Sequence, residues 1–174
     1  DALLSDLRGH SHAFVIACIM DRQIKAERAW LIPYRFQQAL GTFAFDRLRR
    51  LRQRTIYRIM TFPEPMHRFP QDMSRNFYEA VQMIAEEYDG NASRLWSGRP
   101  SSAEVVFRFL QFRGVGPKIA TMAANLLVRQ LKIKLRDYYS IDVSVDVHVR
   151  RVLTRLGLIA PGASESQIIY KARS

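Results

Sequence analysis

The chain has 174 residues, 48% of them hydrophobic, and carries a formal net charge of +11 with a pI of about 10.4. This length allows one compact domain or two small lobes, and the charge favours a polyanionic partner, most simply nucleic acid. The single cysteine, Cys18, excludes a disulfide framework within this chain, and the apolar run at 13–20 is too short to span a bilayer.

The first 41 residues predict three helices. The apolar run at 13–20 is typical of a helix that is buried on most sides, and it ends at the polar step 21–23. A second helix is expected over 24–31. A third is expected over 34–41, after a proline and with glycine at its C-terminus.

The segment 46–58 predicts a helix with an apolar face beneath a basic one. Its arginines are Arg47, Arg49, Arg50, Arg52, Arg54 and Arg58, against one aspartate. The residues at helical spacing are Leu48, Leu51, Thr55 and Ile59. The basic face is either a stripe that follows phosphates or an ordinary solvated helix face, and the two interpretations have equal weight.

The second half predicts further helices, so the protein is expected to be all-α. A Ser-x-x-Glu capping box at 101–104 and a second box at 164–167 mark two helix starts. A short extended piece at 139–145 is the one candidate strand. The expected helices are a long one from Pro70 to about Asp89, one from the first capping box, one over 117–131, one over 147–156 capped by Ser144 or Asp146, and one from the second capping box.

The segment 112–120 reads Phe-Arg-Gly-Val-Gly-Pro-Lys-Ile-Ala and predicts a hairpin between two helices. Two glycines one residue apart allow a turn that residues with a Cβ would resist, and Pro117 suits the first helical position. The amides of residues 114–118 would then face outward at a helix N-terminus and could bind a phosphate oxygen. Arg113 at the tip is a second candidate phosphate contact.

From the residues alone, Lys118 is a phosphate ligand and Asp146 is a helix N-cap. Lys118 is one of five lysines among 27 cationic residues, which leaves 22 arginines. An arginine cannot act as an amine nucleophile, so a lysine inside the hairpin also suggests chemistry.

The hairpin is followed at 145–152 by Val-Asp-Val-His-Val-Arg-Arg-Val, and then at 155–158 by Arg-Leu-Gly-Leu. This combination resembles the helix-hairpin-helix base-excision DNA glycosylases of the endonuclease III type. The resemblance extends more weakly to the helix that ends in Met-Asp-Arg-Gln at 20–23, and it covers most of the chain.

The resemblance implies a two-lobed all-α fold with DNA bound in a cleft between lobes. The first lobe, a helical barrel, would span 1–134 and carry the helix-hairpin-helix at about 101–131. The second would span 135–174 and carry the catalytic aspartate. The implied partner is duplex DNA that contains a damaged base or an abasic site, and the expected location is intracellular, either cytoplasmic and nucleoid-associated or nuclear. No membrane association is expected, and the protein is expected to be a monomer.

The resemblance also implies residue roles. Lys118 falls on the lysine nucleophile, Asp146 on the catalytic aspartate and Gln23 on the residue that fills the gap left by a flipped base. The hairpin residues Gly114, Val115 and Gly116 fall on the phosphate clamp. Apart from the resemblance, Arg150 is a further candidate phosphate contact. The implied activity is base release followed by strand cleavage through β-elimination.

Three features depart from the family. Phe112-Arg113 stands where leucine and proline are common, and the interval from Lys118 to Asp146 is 28 residues (146 − 118), longer than usual. Many relatives continue into a four-cysteine loop that binds a [4Fe–4S] cluster, whereas this chain contains none of that loop. No cofactor or metal is therefore expected in this chain, and a cluster would need cysteines beyond residue 174.

Two other functions compete with the bifunctional enzyme. One is a non-catalytic helix-hairpin-helix module that grips the DNA backbone. The other is a monofunctional glycosylase in which Asp146 activates water and Lys118 only binds phosphate.

Overall fold

The computed structural model describes residues 2–173 and is all-α, as predicted. Asp1 and Ser174, the outer ends of the two predicted domains, lie outside the described residues. Within 2–173 there is no β-strand, and the candidate strand at 139–145 is a turn followed by irregular backbone. In that part of the chain no helix is long and apolar enough to cross a membrane.

The chain divides into two compact units. Unit 1 comprises Asp1–Gly98 with Gln111–Gly114, and unit 2 comprises Arg99–Leu110 with Val115–Ser174. The boundaries of these units differ from that of the predicted domains, which lies after Lys134. The domain boundary stays a prediction. The helices of unit 1 are α1 Ala2–Ser5, α2 Ser11–Met20, α3 Ala26–Trp30, α4 Ile32–Leu40, α5 Phe45–Arg49, α6 Gln53–Thr61 and α7 Pro70–Glu87, with a short 3₁₀ helix at Ala92–Leu95. The helices of unit 2 are α8 Ser102–Leu110, α9 Pro117–Arg129, α10 Val147–Arg155 and α11 Glu165–Arg173.

The core of unit 1 is built around α2. All ten residues of α2 are buried, and α1, α3, α4, α7 and the 3₁₀ helix pack against it. This confirms the central helix predicted from its uninterrupted apolar run, because such a run can avoid water only when neighbours cover every side. The ring of Phe36 from α4 stacks on that of Phe77 from α7 with centroids 4.6 Å apart.

His12 is a buried polar group of this core. It is 2% exposed, its Nε2 lies 2.7 Å from the carbonyl oxygen of Phe43, and its ring stacks on the Phe43 ring. Burial lowers the pKa of His12 to about 4. The imidazole is therefore neutral at physiological pH and serves as a structural hydrogen-bonding group.

The arginine-rich segment differs from its prediction, because it forms two helices instead of one. The backbone is extended at Arg52, which separates α5 from α6, and Leu51 is buried at the break. The break rotates α6 so that Ile56 and Met60 are buried. The predicted positions Thr55 and Ile59 are only half-buried.

Unit 2 begins with the packed pair α8 and α9. The first capping box is confirmed: the Ser101 amide and hydroxyl both donate to the Glu104 carboxylate, and the Glu104 amide donates to the Ser101 hydroxyl. The second box is confirmed by two reciprocal bonds between Ser164 and Gln167. Both boxes fix the start of a helix by satisfying amides that have no partner within it.

Candidate active site and hairpin

The two hairpin glycines have different roles. Gly114 adopts φ +82°, and a Cβ there would collide with the side-chain amide of Asn76, so both its conformation and its surroundings require glycine. Gly116 is extended at φ −105° and ψ 179°, and a Cβ there would meet nothing within 4 Å. The expectation that both glycines are needed for the turn is therefore right for Gly114 and wrong for Gly116.

Gly116 is the N-cap of α9, and Pro117 holds the first helical position. No side chain caps this N-terminus, so its first amides are available to a ligand. The open space beside Gly116 leaves room for a phosphate to approach the backbone. The partial positive charge of the helix end would favour that approach.

Lys118 and Asp146 come together in unit 2. The Nζ of Lys118 lies 3.9 Å from Oδ2 of Asp146, and the side chains are 55% and 30% exposed. Both groups are thus open to a substrate while close enough to interact. The 28 residues that separate them in sequence do not keep them apart.

The Asp146 carboxylate is held by its other oxygen. Oδ1 accepts hydrogen bonds from the amides of His148 at 2.9 Å and Val149 at 2.8 Å, which makes Asp146 the N-cap of α10. The open choice between Ser144 and Asp146 is settled in favour of Asp146. The bond from the Val149 amide is the main cause that lowers the Asp146 pKa, and the amide of His148 and the charge of Lys118 act in the same direction. The carboxylate is therefore ionised at neutral pH.

The segment 131–145 brings Asp146 to Lys118, and its anchors were not predicted. The Asn125 side chain in α9 donates to the carbonyl of Asp142 at 2.8 Å. The Ser144 hydroxyl lies 3.4 Å from the carbonyl of Lys118 itself. Two polar side chains thus tie the chain just before Asp146 to the helix that carries the lysine.

A second set of contacts fixes the middle of the same segment. The buried hydroxyl of Ser102 donates to Asp137 at 2.6 Å and accepts from the amide of Ser140 at 2.9 Å. The Ser102 hydroxyl bond is the main cause that lowers the Asp137 pKa. Arg136 adds an ion pair with Glu104 at 3.5 Å. No sequence signal short of a long-range pairing could have identified these contacts.

Gln23, Arg113 and Gly114 come together in unit 1. They line a cavity of about 460 Å³ with Arg22, Phe69, Asp72, Met73 and Asn76. Gln23 is exposed and adopts φ 55°, a conformation that residues other than glycine seldom take. Such strain at an exposed polar residue is often associated with function.

Two of the predicted DNA contacts, Arg113 and Arg150, have structural partners of their own. Nε of Arg113 lies 3.8 Å from Oε2 of Glu79, with the Arg113 side chain 45% exposed. Arg150 donates to the carbonyl of Ala163 and so fixes the turn before α11. Val115 is half-buried.

Comparison with protein-family models and with curated proteins gives no match for this chain. The family resemblance and the residue roles that it implies therefore remain a hypothesis. The geometry of each residue stands independently of it.

The residues of this chain do not fit an iron–sulfur cluster. Such a cluster needs four cysteine thiolates, whereas the only cysteine, Cys18, is buried in α2 and burial raises its pKa. Among residues 2–173, no three or more His, Cys, Asp or Glu side chains are grouped to hold a metal ion.

Proposed function

We propose that this protein is a DNA glycosylase with AP-lyase activity that acts on damaged bases in duplex DNA. The observation that carries the proposal is the 3.9 Å distance between the Lys118 amine and the Asp146 carboxylate. Lys118 lies on the first turn of α9, the helix that follows the hairpin. The fold proposed with it is the two-lobed helix-hairpin-helix glycosylase fold.

In the proposed reaction, the neutral amine of Lys118 attacks C1′ of the flipped nucleotide, and the bond from C1′ to the base breaks. The base leaves with a proton, the sugar ring opens and a Schiff base forms between Nζ and C1′. Loss of a proton from C2′ then breaks the C3′–O bond and releases the 3′ phosphate. Hydrolysis of the Schiff base frees the lysine.

Asp146 has two proposed roles in this reaction. Its other oxygen, Oδ2, would take the proton that Lys118 must lose before it attacks, once substrate binding shortens the 3.9 Å separation from Nζ to hydrogen-bond length. Because the carboxylate is ionised at neutral pH, it would also stabilise positive charge on the sugar. The two amide bonds to Oδ1 would hold it in place through both steps.

The proposed DNA contacts use the hairpin and the turn after α2. The uncapped N-terminus of α9 beside Gly116 would bind a phosphate. Gln23 would fill the space that the flipped nucleotide leaves. Arg113, Val115 and Arg150 would contact the backbone near the site, and the charge of +11 would make affinity depend steeply on salt.

Reductive trapping tests the proposal. Borohydride added to the protein with an abasic duplex should reduce the Schiff base and leave a covalent complex, which gel electrophoresis detects. Lys118→Gln should abolish trapping. The matched control Lys134→Gln, which removes an exposed lysine from the segment 131–145, should leave it intact.

The other outcomes distinguish the competing functions. Absence of trapping, with base release retained in Lys118→Gln, would favour the monofunctional glycosylase. If Asp146→Asn changes neither base release nor strand cleavage, the enzyme is excluded and a DNA-binding module remains. A panel of duplexes with different lesions would identify the excised base.

A further inference from the structure

The outward face of α6 alternates cationic and aromatic side chains. Arg54, Tyr57 and Arg58 are exposed, and their spacing places them on one side of the helix. The opposite side carries Ile56 and Met60, which are buried. The exposed face is therefore presented on a rigid support.

Phe62 continues this face immediately after α6 and is 75% exposed, an unusual state for so large an apolar ring. Its amide donates to the Arg58 carbonyl at 3.0 Å, and the Met66 amide donates to the Met60 carbonyl at 2.8 Å. Nε of Arg28 donates to the Met66 carbonyl at 3.1 Å. These hydrogen bonds hold the backbone on both sides of Phe62 and so keep its ring in the exposed position.

A groove of about 410 Å³ lies beside the Phe62 ring. Among its lining residues, Arg35 and Gln38 of α4 carry hydrogen-bond donors and Glu64 carries acceptors. The lining also includes the apolar residues Ala39, Pro63 and Met66, so the groove combines an apolar surface and a flat ring with polar groups that can pair with the edge of a base. A purely apolar partner would leave those polar groups without hydrogen bonds.

The segment that precedes Phe62 in the chain is strongly positive. The segment 46–58 contributes +5 (six arginines and one aspartate), and all six guanidinium groups are on exposed residues. In the part of the chain that the structure describes, none of these six forms an ion pair. Exposed arginines without carboxylate partners fit phosphate groups.

We propose that the outward face of α6, together with Phe62 and its groove, binds single-stranded nucleic acid. Bases would stack on Tyr57 and Phe62, and the phosphates between them would contact Arg54 and Arg58. Arginines interleaved with exposed aromatic rings suit a single strand, because its bases are free to stack, whereas those of a duplex are already paired. The inference does not depend on the proposed glycosylase, since none of these residues belongs to its site.

Fluorescence anisotropy with an undamaged oligothymidylate of about 20 nucleotides tests this surface. The variant Phe62→Ala should weaken binding between about fivefold and a hundredfold, the range for loss of one stacked base. Phe62→Trp should restore the affinity, and Phe62→Leu should not, because leucine is apolar without a flat ring. The double variant Arg54→Gln, Arg58→Gln should reduce the slope of log affinity against log salt by about 1.4.

Matched controls separate this surface from the other proposed site. Tyr170→Ala, at a ring 66% exposed in unit 2, and Lys134→Gln, at an exposed lysine of the same unit, should leave oligothymidylate binding unchanged. Binding of an undamaged duplex should change less than twofold in Phe62→Ala. Equal affinity of Phe62→Ala and the wild type for the single strand would overturn the proposal. The proposal would also be overturned if polyglutamate displaced the oligonucleotide and if Phe62→Ala weakened the binding of polyglutamate as much as that of the oligonucleotide. That result would indicate an acidic protein partner.

Discussion

The carboxylate of Asp146 uses its two oxygens for different contacts: Oδ1 caps α10, while Oδ2 lies 3.9 Å from the amine of Lys118. A capping role and a catalytic role are therefore compatible in one side chain. The cap fixes the carboxylate through short backbone bonds and leaves its second oxygen directed at the lysine. Substitutions that remove only one of these contacts can separate the roles.

Asp146→Asn should slow the proposed reaction while it preserves the fold. An asparagine side-chain oxygen can still cap the helix but carries no charge, whereas Asp146→Ala loses the cap and should lower the free energy of unfolding by about 1 kcal/mol. Both variants should slow base release at least a hundredfold, the lower range for loss of a group that transfers protons. Urea denaturation and single-turnover base release measure the two effects. Parallel losses of stability and activity in the two variants would mean that the aspartate is structural only.

Alanine substitutions at the two hairpin glycines should have different effects, on stability at Gly114 and on duplex binding at Gly116. Gly114→Ala should destabilise the protein by more than about 1 kcal/mol, since alanine at positive φ is strained and its Cβ would collide with Asn76. Gly116→Ala should leave stability within about 0.5 kcal/mol, because its backbone and surroundings accept a Cβ. It should nevertheless weaken duplex binding if a phosphate approaches at this position. Thermal unfolding and anisotropy with a duplex provide the two measurements.

A double-mutant cycle identifies the cause at Gly114. In an Asn76→Ala background the collision is removed, so Gly114→Ala should cost less there than in the wild type. An identical cost in both backgrounds would assign the whole effect to backbone strain.

Local signals predicted most helices of this chain. The apolar run of α2, the two capping boxes and the glycines that follow α4 and α10 mark elements through interactions a few residues apart. Such interactions depend on sequence neighbours and can be read directly. The break between α5 and α6 could not be read in this way, because it depends on how Leu51 and Ile56 are buried by the rest of unit 1.

The candidate site was predictable in its residues but not in its construction. Lys118 and Asp146 were paired through the resemblance to the helix-hairpin-helix glycosylases, and their proximity required coordinates. The contacts that hold the intervening segment join Asn125 to Asp142 and Ser102 to Asp137. They span 17 and 35 residues and follow no periodic pattern.

Asn125→Ala should act on the reaction through Asp146 without touching substrate. It removes the bond to the Asp142 carbonyl, so the segment before Asp146 should become less ordered and base release should slow. Duplex affinity should stay within about twofold, because the hairpin is unchanged. Asn125→Gln places a similar amide one methylene further away and should restore part of the rate. A loss of affinity equal to the loss of rate would show that Asn125 supports the whole unit instead of the carboxylate.

His12 should make stability depend on pH between about 6.5 and 4. Its pKa is lowered to about 4 in the fold, so below 6.5 the unfolded chain binds a proton that the folded chain does not. The free energy of unfolding should therefore fall as pH falls through this window, by roughly 3 kcal/mol at most. His12→Gln keeps a donor for the Phe43 carbonyl and should show a shallower dependence of stability on pH. The dependence that remains in this variant would come in part from His67, because burial also lowers the pKa of that side chain. Urea denaturation at pH 7 and pH 4.5 measures the change in the free energy of unfolding with pH. The control Phe36→Leu is destabilised without loss of a titratable group, so its free energy of unfolding should change with pH as that of the wild type does. Equal slopes in the wild type and His12→Gln would mean that His12 is protonated inside the fold.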